Sequence, residues 1–145
     1  MNHFVVEPEV AGGLGEHTVM DCTVRPPKVS KLHYKFDGWL GDSLLESFPC
    51  YIATKELAQK LKTMHFTGVD FCEVEVETSE QFRRLYPNRK LPDFLWLKIS
   101  GQPGADDFGL DDDLRLVISE RVLSLLKAQH LQNALVAHFE PRIFH

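Results

Sequence analysis

Cysteine, long apolar runs and positive charge are all in short supply in this 145-residue chain, and each shortage excludes a class of protein. Cys22, Cys50 and Cys72 are widely spaced with no C-x-x-C pair, which fits neither a disulfide framework nor a zinc site. Cys50 and Cys72 sit in apolar segments and read as small buried hydrophobes. Apolar runs such as "FLWL" fall far short of the roughly 20 residues that span a bilayer. "MNHFVVEPEV" lacks a basic region followed by an apolar one, so the expectation is a cytoplasmic protein with no membrane association. Lys and Arg number 16 against 21 Asp and Glu, giving a net charge of −5. No basic cluster exceeds "FRRL" or "RKL". Phosphate neutralisation dominates nucleic-acid binding, so no nucleic-acid partner is expected.

Catalytic constellations are missing as well. There is no G-x-S-x-G elbow, and "DFG" at 107–109 matches a kinase motif in letters only, without a Gly-rich loop or H-R-D before it. The seven histidines are scattered, and the pair His130 and His138, on different predicted elements, has no carboxylate at ligand spacing. The expectation is a protein that is not an enzyme and has no cofactor, no metal and no catalytic residue.

The chain does have an ordinary globular composition, 43% hydrophobic and 26% charged, enough for one domain over 1–145 to bury a core. The stretch "AGGLGEHT", residues 11–18, raises the possibility of a phosphate-binding loop and hence of a small-ligand or nucleotide-binding protein. The next residues, "TVMDCTV", are rich in β-formers rather than the start of a helix, and no lysine accompanies the glycines. Glu7, Glu9 and Glu16 surround them instead. The stretch reads as a tight connection between two strands.

A repeated strand-helix-strand pattern organises the rest, and reads either as an internal duplication or as chance recurrence of a unit common in α/β domains. Residues 51–75 lie over 116–140 without a gap, with Leu61/Leu126, Lys62/Lys127, His65/His130 and Glu75/Glu140 identical. Each copy opens with a short strand, Tyr51–Ala53 or Leu116–Ile118, then an N-cap, Thr54 or Ser119, with Glu56 or Glu120 in the first turn. Helical periodicity comes next, marked by Leu57 and Leu61 or Val122 and Leu126. Gly68 and Asn133 are expected to end the helices in a left-handed conformation, with His65 and His130 suiting the negative ends of the helix dipoles. "VDFCEVEVE" reads as a strand with Cys72 out of phase, and "ALVAHFE" as its counterpart. Two similar β-α-β units, about 51–76 and 116–140, result. With strands at "HTVMDCTV" and "FLWLKIS", a short helix capped by Ser79 and a polar loop over 100–113, the expected fold is α+β (mixed α/β), one sheet with packed helices.

Two segments are candidates for recognition. "KLHYKFDGWLGDSLLESFPCYIAT" concentrates aromatics among acids and glycines, a pattern that suits either a buried core or an interface; on the interface reading Tyr34, Trp39 and Asp42 are its candidate partner-binding residues. Asp106, Asp107, Asp111, Asp112 and Asp113 form an acidic run that lacks EF-hand spacing and reads as a solvated face for a partner.

"EPEVAGGLGEHTVMD", "PPKVSKLHYKFDGWLGDSLLESFPCYIAT", "FTGVDF", "LPDFLWLKISGQPGADDFG" and "LRLVISERVLSLLK" together cover nearly the whole chain. The series resembles a family of uncharacterised bacterial cytosolic proteins related to immunity proteins of polymorphic-toxin and type VI secretion systems. The resemblance implies a protein that binds a cognate protein toxin and blocks it; the acidic composition suits a basic toxin. A homodimer is equally open to such a fold.

Overall fold

Thr54, Ser79 and Ser119 each act as the N-cap that their sequence context predicts. Thr54 Oγ1 accepts the Leu57 N–H at 3.2 Å, opening α1 (Lys55–Thr63). Ser79 Oγ accepts that of Phe82 at 3.1 Å, opening α2 (Glu80–Leu85), and Ser119 Oγ that of Val122 at 3.4 Å, opening α3 (Glu120–Lys127). Each cap satisfies an amide that has no partner within its own helix. Leu57 and Leu61 of α1 and Val122, Leu123 and Leu126 of α3 enter the same core cluster. Full burial of each large aliphatic side chain is worth about 1.5–3 kcal/mol.

The computed structural model describes residues 2–140. It is mixed in class and predominantly β, with 39% strand and 17% helix. The expected single sheet is corrected to four sheets among the described residues. One contains β6 (Leu44–Ser47), β7 (Cys50–Thr54), β10 (Phe94–Ile99) and β8 (Val69–Cys72), in that order. A second contains β11 (Phe108–Leu110), β12 (Leu116–Ser119), β1 (His3–Glu7) and β13 (Leu135–His138). A third is β2 (Gly12–Leu14), β5 (His33–Phe36) and β9 (Glu75–Thr78), and β3 (Val19–Asp21) pairs with β4 (Lys28–Lys31).

The repeated pattern is visible in the strand register. In each four-stranded sheet a strand, its helix and the returning strand flank an inserted antiparallel strand. Trp96 of β10 stands opposite both Ile52 and Cys72. Val5 of β1 stands opposite both Val117 and Ala137, each 65 positions later than its counterpart. The inserted strands come from elsewhere: β1 precedes the first unit yet completes the sheet of the second, while β10 comes after the first unit and completes that one. The halves are therefore interlocked, and neither sheet closes without the other half's part of the chain.

Alternation along β7 explains the layers. Tyr51 and Ala53 face the core shared with both helices, whereas Cys50 and Ile52 face a second core with Tyr34, Phe36, Phe82 and Trp96. The β6-β7-β10-β8 sheet is thus buried on both faces, its second face covered by the β2-β5-β9 sheet and α2.

Several expectations change. α1 ends at Thr63 and α3 at Lys127, before Gly68 and Asn133. The left-handed residue after α1 is His65, with φ 55°; Gly68, with φ 85°, instead lets the chain pass the Phe108 carbonyl, where a Cβ would lie 2.2 Å away. Asn133 does not adopt positive φ. "VDFCEVEVE" is two strands in two sheets, β8 and β9, and the out-of-phase Cys72 marks where the chain changes sheet. The polar loop over 100–113 contains β11.

Candidate partner-binding cleft

Where the first half carries a third layer, the second half carries a cleft among the described residues. The face of the β11-β12-β1-β13 sheet turned away from α3 presents Val5, Val117, Ala137 and Gly109, at the positions of Trp96, Ile52, Cys72 and Leu45 in the first sheet. Each is smaller than its counterpart. Val117 is fully buried, with Pro103 packed close to the neighbouring Gly109, but a cleft of about 670 Å³ remains, bounded by Val5, Pro103 and β13.

The rim is acidic because of one turn. Asp111 Oδ1 accepts the amides of Asp113 and Arg115, both at 2.9 Å, and Leu114 takes φ 63° to close the turn. Tyr51 Oη donates to the Leu114 carbonyl at 2.8 Å and ties the turn to the core. Asp111 Oδ2 also accepts from Arg115 Nε at 2.8 Å, which holds the guanidinium more firmly protonated than usual. With Asp111 pointing inward, Asp112 and Asp113 are left in solvent. Glu7 and Glu140 join them, so the lining carries five carboxylates against the single guanidinium of Arg115 among the described residues. Low-dielectric walls with one sign of charge concentrate the field on an incoming cation.

β13 supplies the apolar side. All four of its residues are exposed, Leu135 at 70% and Val136 at 40%. Among the described residues it pairs with β1 only, so its outer edge offers backbone N–H and C=O groups to a further strand.

The other residues singled out in the sequence do different work. Tyr34 is buried; its hydroxyl accepts the Ala11 amide at 3.0 Å and donates to the Glu46 carbonyl at 2.9 Å, and burial raises its pKa to about 12. It therefore offers no surface to a partner. Asp42 is also buried, accepting the amides of Gln132 at 2.9 Å and Asn133 at 2.7 Å and the Asn133 side-chain amide at 3.1 Å. Trp39 is half-buried: its indole N–H donates to the Asp42 carbonyl at 2.9 Å, its ring meets Phe94 edge-on and the Arg89 guanidinium lies 4.8 Å from its centre. It lines a separate recess of about 280 Å³ with His130 and Thr54. Asp106 Oδ2 accepts the Gln102 amide at 2.6 Å, shaping the loop that carries Pro103. Burial alone would raise the Asp107 carboxyl, but hydrogen bonds from the Thr67 amide and the Ser119 hydroxyl, with Arg121 beside it, hold it below its ordinary value. Burial pushes the Cys50 thiol up to about 12, so it remains protonated and a poor nucleophile.

The structure thus gathers Asp111, Asp112 and Asp113 at one cleft and disperses the rest. Glu7, Arg115 and the β13 edge are not among the residues that the sequence motifs single out. The register of the repeat is the signal that leads to them, once the small residues of the second copy are set against the large ones of the first. "AGGLGEHT" forms β2 and a turn, with no helix after it. No protein-family model matches the chain, and no curated protein or solved structure is detectably similar to it.

Proposed function

We propose that this protein is an immunity-type inhibitor that binds a basic bacterial toxin through the acidic cleft between the Asp111–Arg115 turn and β13. One observation carries the reading: among the described residues, the second half leaves a cleft with an acidic rim, and a strand edge with no further partner, on the face that the first half covers with a third layer. A partner that places lysines or arginines over Asp112 and Asp113 and an apolar or extended segment along β13 meets complementary charge and geometry. The motif resemblance across the chain points to the same class of partner.

The test is co-expression with the toxin encoded beside this gene. Wild type is expected to protect cells and to co-purify with the toxin, while the double variant Asp112→Lys/Asp113→Lys, with an unchanged melting temperature, loses protection. Equal protection by the variant removes the cleft from the mechanism, and no protection or complex with wild type removes the immunity reading. A small-ligand role, which a cleft of this volume also suits, predicts stabilisation by a metabolite or nucleotide panel without any toxin.

A further inference from the structure

Three side chains far apart in sequence meet at the end of the molecule that carries the glycine-rich turn. His17 Nδ1 lies 2.7 Å from Glu75 Oε2, and His33 Nε2 lies 3.5 Å from the same oxygen and 3.0 Å from Glu77 Oε1. The donor atoms of His17, His33 and Glu75 all fall within 4.8 Å of one another. Local structure places each one. His33 and Glu75 are paired neighbours in the parallel β5–β9 ladder, and Lys35 and Glu77 are the pair two residues on, so both glutamates share the face of His33. The Gly15 amide donates to the His33 carbonyl at 2.7 Å, and a Cβ at Gly15 would lie 2.1 Å from His33 Nδ1, so only glycine lets the turn cross the ring this closely. The turn lays the His17 ring on that of His33, with centroids 4.8 Å apart and planes 22° apart.

His33 is the observation that points to a ligand. It is fully buried, yet its Nε2 has no hydrogen-bond partner, because neither nearby carboxylate lies along the direction of its hydrogen bond. An orphaned buried ring nitrogen is costly unless something fills its place. Carboxylate oxygens and a second imidazole lie beside it, a donor set that a cation placed between them satisfies at once. Two imidazoles with one or two carboxylates are the donors of zinc; calcium and magnesium require oxygen alone, and cuprous copper prefers sulfur. Glu75 divides its two oxygens, Oε1 facing Lys31 Nζ at 3.4 Å and Oε2 facing the histidines.

We propose that His17 Nδ1, His33 Nε2 and Glu75 Oε2, with Glu77 as a fourth donor, form a zinc site that fastens the glycine-rich turn to β5 and β9. Zinc on Nε2 leaves the ring's remaining proton on Nδ1, which now accepts the His17 amide at 3.2 Å. That long hydrogen bond is the one the site gives up on loading. The exposed side of His17 leaves access for the ion from solvent.

The experiment is calorimetric titration of the chelator-stripped full chain with zinc, repeated with cobalt and read by visible absorption. The expected result is one ion per chain, an intense low-coordinate cobalt spectrum and a rise in melting temperature with zinc. His17→Ala, on an exposed side chain, and Glu75→Gln are each expected to weaken zinc binding by roughly tenfold or more while their metal-free forms melt near the stripped wild type. Cys22→Ser and His138→Ala are expected to bind as wild type does. Absence of one-to-one binding, or affinity unchanged in both His17→Ala and Glu75→Gln, overturns the site.

Discussion

Asp42 and Asp107, 65 positions apart, perform the same task from opposite halves of the molecule. Asp42, ahead of β6, accepts the amides of Gln132 and Asn133 in the segment after α3; Asp107, ahead of β11, accepts the amide of Thr67 at 3.0 Å in the segment after α1. Thr67 and Gln132 are themselves 65 positions apart. Main-chain bonds run alongside, Ser43 N–H to the His130 carbonyl at 2.8 Å and Phe108 N–H to the Thr67 carbonyl at 3.0 Å. Each half thus closes the loop of the other, in addition to exchanging strands with it.

The two acids differ in burial, and their removal should differ accordingly. Asp42→Ala strands two amides and a side-chain amide, and is expected to cost about 3 kcal/mol or more in denaturant unfolding. Asp107→Ala, whose carboxylate is partly open to water, is expected to cost about half as much. Equal costs would show that the latch at Asp42 does not depend on its burial.

The lowered Asp107 fixes the sign of one pH effect. A carboxyl with a folded value below its unfolded one contributes stability above the unfolded value, near 4, and loses it as pH falls through the folded value. Wild type is therefore expected to exceed Asp107→Asn in stability near pH 6, with the gap narrowing from about pH 4 downward. Unfolding midpoints at stepped pH measure this, and a gap constant down to pH 3 would contradict it.

Adjacent glycines in β2 should respond in opposite directions. A Cβ at Gly12 would stand 1.9 Å from the Lys35 carbonyl, whereas nothing lies within 4 Å of one at Gly13. Gly12→Ala is expected to lower stability by about 2 kcal/mol or more by forcing β2 from β5. Gly13→Ala is expected to be neutral or to stabilise by up to about 1 kcal/mol, because alanine restricts the unfolded chain. Paired thermal melts decide between this and a shared response.

Local rules carry much of the fold. Thr54, Ser79 and Ser119 cap their helices because a short side-chain oxygen before an apolar periodic run has one favourable place to go. The repeat is legible for the same reason, since strand, cap and helix signals are all local. α1 ends earlier than the pattern predicts because His65 is the first residue after it to take a left-handed conformation, ahead of Gly68, and short-range propensity does not separate the two. β11 is hidden inside a polar loop because three residues carry too little pattern.

The candidate sites divide along the same line. Aromatics and acids between 31 and 54 carry no mark of burial in their sequence: Tyr34 goes to the core and Asp42 to a latch because sheet pairing places them there. Composition and local pattern by themselves determined the charge, the scarcity of cysteine and the two β-α-β units. Only the tertiary structure decided that β1 and β10 exchange between halves, that a cleft remains beside Asp112 and Asp113 among the described residues, and that His17, His33 and Glu75 converge. Each of these depends on non-local strand pairing, whose register is set by burying both faces of one sheet and one face of another, and a linear pattern does not contain it.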